Sequence, residues 1–132
     1  MKTVLDSRFI MELFYSASDE IKQKTSRKIR EMIQRKEGVL PTIVISEIVH
    51  TVCGQLGKEE AEMCYANLVQ GGLKIQALTP QIAKKAGILR CKYRSVPMGD
   101  CIIAATAITN QAAVLSDDPH FEAICETKRI WI

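Results

Sequence analysis

Four acidic residues lie where carboxylates could hold a metal ion: Asp6, Glu47, Asp100 and Asp118. Asp6 and Asp118 each follow a short apolar run that is typical of a buried strand. Glu47 and Asp100 lie one or two turns into predicted helices with largely apolar surroundings. A carboxylate in such a setting avoids full burial unless something compensates its charge, and a cation shared among several carboxylates would do so. Oxygen ligands of this kind favour Mg²⁺ or Mn²⁺ over zinc.

Each acid also has an ordinary structural explanation when it is taken alone. Asp6 could cap the helix that follows it, and Asp118 could cap the turn that leads to Phe121. Glu47 could be a helix-surface acid, and Asp100 a first-turn acid favoured by the helix dipole. The expected position of all four at equivalent ends of their elements favours a shared site over four separate explanations.

The elements that must position these acids alternate between strand and helix along the whole chain. Strands are predicted near residues 3–5, 38–41, 73–78, 112–115 and 129–131. Helices are predicted at 8–17, from the Ser18 cap to Gly38, from the Thr42 cap through Val52, at 58–70, 80–93 and 97–109, and after the turn 116–121. This alternation indicates one α/β domain over residues 1–132, with a mainly parallel sheet of four to five strands between two helical layers. In such folds ligands bind outside the carboxyl ends of the strands.

The composition is that of an ordinary globular protein. The chain has 132 residues, of which 47% are hydrophobic and 25% charged, and no apolar run approaches the length that spans a bilayer. Asp6 interrupts the first apolar run, so the N-terminus is not read as a signal peptide and a cytoplasmic location is expected. The five cysteines lack the pairing and C-x-x-C spacing of a disulfide framework or zinc ribbon, and most are expected in the core.

Several function classes lack their sequence signatures here. There is no P-loop, no G-x-G-x-x-G and no nucleophile elbow, which argues against nucleotide-binding enzymes and serine hydrolases. The net charge of +3 permits contact with a polyanion but does not demand it. Of the two histidines, His50 is expected at the edge of the core and His120 on an exposed turn, and neither is needed for a metal mechanism.

Four stretches of the sequence occur in the order, and roughly the spacing, of a known family. They are Val4-Leu5-Asp6-Ser7, Thr42 through Ser46-Glu47-Ile48, Gly99-Asp100-Cys101-Ile102-Ile103-Ala104-Ala105-Thr106-Ala107, and Val114-Leu115-Ser116-Asp117-Asp118-Pro119-His120-Phe121. On these stretches, which extend over nearly all of the chain, the sequence resembles PIN-domain proteins. It is similar to the small toxin-type ribonucleases of the VapC class.

The resemblance implies a PIN-like fold and the hydrolysis of single-stranded RNA with bound Mg²⁺ or Mn²⁺. Asp6, Glu47 and Asp100 match the three core acids of the family, and Asp118 matches the fourth. Asp6, Asp100 and Asp118 are then expected to bind metal directly or through water. Glu47 could bind metal or orient the attacking water. Because crowded carboxylates repel one another, we expect raised pKa values in the empty site and weaker metal affinity as the pH falls.

The resemblance also implies supporting residues and partners. Ser116 matches a hydroxyl next to the metal ligands, and Asp117 is an additional acid that could share or replace the role of Asp118. Family members commonly form homodimers, and the toxin type pairs with a small antitoxin.

Two basic clusters are candidate contacts for RNA. The better candidate is the cluster Arg90, Lys92, Tyr93 and Arg94, because it precedes the Asp100 helix and includes an aromatic ring on which a base could stack. The basic residues between Lys22 and Lys36 are interrupted by an acid and have the pattern of a solvated helix face. The sequence therefore predicts a metal-dependent endoribonuclease, the toxin of a toxin–antitoxin pair. Within enzymes, the same acids could also cut structured RNA during processing, or DNA flaps. The alternative from another class is a non-catalytic PIN-like module that binds RNA or protein, which the repelling carboxylates disfavour.

Overall fold

The computed structural model describes residues 1–132 and builds them around a five-stranded sheet. The strands are β1 Thr3–Leu5, β2 Gly38–Pro41, β3 Lys74–Gln76, β4 Ala113–Leu115 and β5 Arg129–Ile130. Their order is β3-β2-β1-β4-β5, and every pairing is parallel. From β1 the chain first adds β2 and β3 on one side of the sheet, and later β4 and β5 on the other side. The direction in which strands are added therefore reverses between β1 and β4. Such a reversal opens a crevice at the carboxyl ends of the two strands.

Seven helices complete the fold. They are α1 Ser7–Tyr15, α2 Asp19–Gln34, α3 Thr42–Leu56, α4 Lys58–Gln70, α5 Pro80–Lys92, α6 Met98–Thr109 and α7 His120–Ala123. Strands β1, β2 and β4 are buried along their whole length, as strands are when helices cover both faces of a parallel sheet. The predicted α/β class and parallel sheet are confirmed. No helix has both the length and the hydropathy needed to cross a membrane.

Helix α6 is the central helix of the core. Its residues Cys101 and Ile103 through Ala107 are buried, because this helix is apolar on nearly every side. It packs against β1, β4, α3 and α5. The small side chains of Ala104, Ala105 and Ala107 allow this close approach on several sides. The first turn of α6, with Asp100, is thereby fixed relative to the strand ends.

Several predicted element boundaries differ from the structure, and two of the differences have a clear local cause. Helix α1 ends at Tyr15 rather than Ala17, since the Ser16 hydroxyl accepts a hydrogen bond from the Ser18 N–H and replaces a continued helix. Ser18 caps α2 as predicted, accepting from the Ile21 N–H. Strand β3 spans 74–76 rather than 73–78, because at the edge of the sheet it pairs only with the short β2.

The cysteines were expected mostly in the core, and this prediction is wrong for three of the five. Cys64 and Cys101 are buried, whereas Cys53, Cys91 and Cys125 are exposed on helices or turns, and all are free thiols.

Candidate metal centre

The register of β1 and β4 brings the first two polar residues of the site together. Leu5 is paired with Leu115, so the next residues, Asp6 and Ser116, leave the sheet side by side. The Asp6 N–H donates to the Leu115 carbonyl, which extends the ladder to the site itself. The Ser116 hydroxyl then donates to Asp6 Oδ2 at 2.6 Å. Asp6 is only 2% exposed, so this bond stabilises a buried carboxylate.

The loop after β4 carries the next carboxylate. Ser116 Oγ also accepts a hydrogen bond from the Asp118 N–H at 3.0 Å. Asp118 Oδ1 in turn accepts from the His120 N–H at 2.9 Å, which closes a tight turn at the start of α7. The buried Phe121 anchors the far end of this turn in the core. One hydroxyl thus links the strand acid Asp6 to the loop acid Asp118.

Helix α6 presents Asp100 to this loop. Asp100 Oδ2 lies 3.1 Å from His120 Nδ1, and Asp118 Oδ1 lies 3.0 Å from the same nitrogen. One ligand atom from each of these three residues falls within 4.8 Å of the other two. The spacing is that of groups able to hold a single ion.

Glu47 approaches the site from α3. Its Oε2 lies beside Gly99 in the first turn of α6, where a β-carbon would stand 3.4 Å away. Its Oε1 is buried and has no hydrogen-bond partner. A buried carboxylate oxygen without a partner is costly unless a ligand satisfies it.

The electrostatics of the site follow from this crowding. Burial, together with the charges of Asp6 and Asp100, raises the pKa of Glu47 to about 7. Burial and the neighbouring Asp118 and Asp6 raise the pKa of Asp100 to about 6, although His120 partly offsets the effect. Burial also raises the pKa of Asp6 against the hydrogen bond from Ser116. Oxygen donors that lack countercharge, including one orphaned buried oxygen, fit a hard divalent cation.

Asp117, the additional acid that could share or replace the role of Asp118, faces Arg8. Arg8 Nε and a second guanidinium nitrogen both donate to its carboxylate. This ion pair lowers the pKa of Asp117 below its ordinary value. The charge of Asp117 is therefore already compensated, while that of Asp118 adds to the site through its effect on Asp6 and Asp100.

The four residues considered for RNA contact lie at the end of α5 and in the loop before α6. Within this cluster the Tyr93 hydroxyl donates to Glu126 and accepts from the Cys125 N–H, and Lys92 Nζ pairs with Glu126. These bonds tie the end of α5 to the turn before β5. Arg90 and Arg94 form no ion pair and remain the freer cations of the cluster.

Sequence reasoning missed one residue of the site, His120. It was expected on an exposed turn, and its side chain is indeed 43% exposed, but Nδ1 is buried against Asp100 and Asp118. The signal that could have found it is its position two residues after Asp118 in a turn opened by Asp-Pro. His50 is exposed on α3.

One family model and several solved structures match this chain over nearly its whole length. The sequence model of one family, described as PIN domain, matches residues 3–127. Comparison with curated protein sequences gives no match.

Solved structures share the fold at low sequence identity. A chain of VapBC2 from Rickettsia felis, bound to a DNA fragment from its promoter, has a TM-score of 0.81 at 16% identity, covering 99% of this chain and 98% of that one. A toxin–antitoxin complex from Klebsiella pneumoniae gives 0.69 at 19%, covering 96% and 95%. VapC20 from Mycobacterium tuberculosis, a sarcin–ricin loop cleaving toxin, gives 0.71 at 14%, covering 92% and 94%.

Proposed function

The chain belongs to the PIN domain family of nucleases, as the sequence predicted, and from that premise we propose that it is a metal-dependent endoribonuclease acting on single-stranded RNA. The observation that carries the proposal is the approach of Asp6, Glu47, Asp100 and Asp118 to one another at the carboxyl ends of β1 and β4. The raised pKa values of Asp6, Glu47 and Asp100 and the partnerless Glu47 oxygen support a site built around a cation.

Each residue of the centre has a distinct proposed role. Asp6, Asp100 and Asp118 would hold Mg²⁺ or Mn²⁺, and Ser116 would fix Asp6 and Asp118 in place. When bound, such an ion activates water and neutralises the charge that develops on the phosphodiester. Glu47, with its buried and partnerless oxygen beside these ligands, would bind the ion or take a proton from the attacking water as a general base.

The end of α5 and the loop before α6 supply the proposed RNA contact. Arg90 and Arg94 can pair with phosphates without first breaking an ion pair of their own, in contrast to Lys92. Tyr93 is bound through its hydroxyl, so any stacking role uses its ring face. The loop leads directly into the first turn of α6, which supports a role for these cations in guiding RNA toward Asp100.

The experiment uses purified chain, labelled single-stranded RNA, and Mn²⁺ or Mg²⁺. We expect cleavage that EDTA abolishes and that Asp100→Asn lowers by at least about 100-fold, because the barrier rises when a metal ligand is lost. Asp19→Asn is the matched control, since Asp19 is exposed in the first turn of α2. Its activity should equal that of the unaltered chain.

The same experiment separates the enzyme from a non-catalytic module. RNA that is bound tightly by the unaltered chain but never cleaved, with either ion, contradicts the nuclease. Structured RNA serves as a second substrate, and cleavage confined to it would overturn the single-stranded preference while leaving the nuclease in place.

We propose two partners beyond the RNA. A small antitoxin is favoured because the structurally similar chains include members of toxin–antitoxin complexes. A second copy of the chain is favoured by β3, an edge strand of the sheet with Ile75 exposed on it and Leu78 exposed directly after it. The unpaired backbone groups of an edge strand are a template on which another chain can pair. Sedimentation of the purified chain at micromolar concentration tests the dimer, and a monomeric mass contradicts it.

A further inference from the structure

We propose that His120 binds the divalent cation directly through Nδ1, so that the centre offers nitrogen as well as oxygen and binds Mn²⁺ more tightly than Mg²⁺. The inference rests on the metal site of the proposed function and adds to it a ligand outside the four acids.

The positions of the donor atoms carry the inference. His120 Nδ1 stands 3.0 Å from Asp118 Oδ1 and 3.1 Å from Asp100 Oδ2. Neighbouring ligands around an octahedral ion with bonds of about 2.1 Å are about 3 Å apart. The nitrogen therefore has, to each of the two oxygens, the spacing that adjacent positions on one ion require, and all three atoms lie within 4.8 Å of one another.

A single ring nitrogen cannot form good hydrogen bonds to both acids. His120 Nδ1 is buried and lies within 3.1 Å of both Asp100 Oδ2 and Asp118 Oδ1, and one N–H can point at only one of them. A cation between the three groups would satisfy all of them at once.

The main chain delivers the imidazole to this position. The His120 N–H donates to Asp118 Oδ1, and the Phe121 N–H donates to the Asp118 carbonyl. Phe121 is buried and fixes the following helical turn. These backbone hydrogen bonds therefore fix the position of His120 beside Asp118, from which its ring reaches the acids.

An imidazole ligand changes which ion the centre prefers. Carboxylates alone suit Mg²⁺ and Mn²⁺ alike, while a neutral ring nitrogen adds more affinity for transition metals. The site should discriminate against Mg²⁺ to an extent that depends on His120.

Pulsed electron paramagnetic resonance of the Mn²⁺-loaded full chain tests the bond itself. A directly bound imidazole gives a nitrogen coupling that changes when histidine is labelled with ¹⁵N. We expect this signal in the unaltered chain and in His50→Ala, which alters the only other histidine, an exposed one. It should be lost in His120→Ala and in His120→Gln, which keeps a polar side chain should the alanine variant fold poorly.

Calorimetric titration of the same proteins measures selectivity. We expect His120→Ala to weaken Mn²⁺ binding by roughly 10- to 100-fold and Mg²⁺ binding by clearly less. Absence of a histidine nitrogen coupling in the unaltered chain, its persistence in His120→Ala, or equal losses for both ions would overturn the inference. If Mn²⁺ binds and RNA is cleaved, those outcomes leave the proposed function standing. If Mn²⁺ does not bind at all, both proposals are wrong.

Discussion

Glu47 is the residue whose charge the metal-free protein compensates least. Burial and the charges of Asp6 and Asp100 raise its pKa from an ordinary 4.5 to about 7, so the folded state holds a proton that the unfolded state releases. Stability of the metal-free chain should therefore fall as the pH rises from about 4.5 through 7, and level off above. We expect Glu47→Gln to abolish RNA cleavage. The same substitution should stabilise the metal-free protein at pH 8 by about 1–2 kcal/mol, which is less than the full pKa shift implies because solvent screens the open side of the site.

Urea unfolding in EDTA at pH 5 and pH 8 measures this effect. The gain should be near zero at pH 5 and should shrink at pH 8 when Mn²⁺ is added, because the ion then compensates the carboxylate in the unaltered chain. Glu62→Gln removes an exposed carboxylate from α4 and serves as the charge-matched control. A destabilised Glu47→Gln at pH 8 would contradict the account of the site as a cluster of mutually repelling acids.

The individual site residues differ in how far the sequence could predict them. Asp6 and Asp100 are recognisable because an acid interrupts an apolar segment that must be buried. The choice between Asp117 and Asp118 is not recognisable, since it depends on Arg8, which lies 109 positions away in sequence. His120 was not predicted for the same reason, because its ring faces Asp100, which only the tertiary packing of α6 brings near.

At the scale of elements, the hydroxyl of Ser116 couples β1 to the loop after β4. It donates to Asp6 Oδ2 and accepts from the Asp118 N–H. Ser116→Ala removes both bonds and leaves a buried carboxylate and a backbone N–H less well satisfied. We expect a loss of about 1–3 kcal/mol in stability and a roughly 10-fold or greater loss in Mn²⁺ affinity.

Chemical unfolding and metal titration of Ser116→Ala give the two quantities. Ser46→Ala is the matched control, because Ser46 adjoins Glu47 in sequence but is exposed and bonds only to the Thr42 carbonyl of its own helix. If Ser116→Ala bound Mn²⁺ as tightly as Ser46→Ala does, the hydroxyl would have no part in organising the ligands.

The elements themselves were largely predictable, because caps, apolar periodicity and strand runs are local signals. The Ser18 cap and the alternation of strand with helix come from residues that are near in sequence. Two boundaries were not predictable from local signals. The end of α1 depends on a hydrogen bond between two serine residues, and the length of β3 depends on how much of β2 is available for pairing. The burial of the cysteines likewise depends on which helix face meets the core.

On the scale of the whole molecule, an apolar groove between α1, α2 and α4 is the surface best suited to the proposed antitoxin. Its volume is about 330 Å³, and it is lined mainly by Ile10, Leu13, Phe14, Ile29, Ile33, Leu68 and Leu73. The outer face of α2 beside it carries Lys22, Arg27 and Arg30. The combination favours a partner segment with apolar side chains and acidic flanks.

Phe14→Asp places a charge in this groove, far along α1 from Asp6, and should separate partner binding from catalysis. We expect co-expression with the product of a short reading frame immediately upstream to yield a complex for the unaltered chain and for Met63→Asp, whose site on α4 is 62% exposed. Phe14→Asp should lose the complex, because a carboxylate buried at an apolar contact lacks compensation. It should still cleave RNA with Mn²⁺, which shows that the fold survives. A Phe14→Asp complex as stable as the unaltered one would place the antitoxin on another surface, since no partner can fill this groove around an unpaired charge without losing affinity.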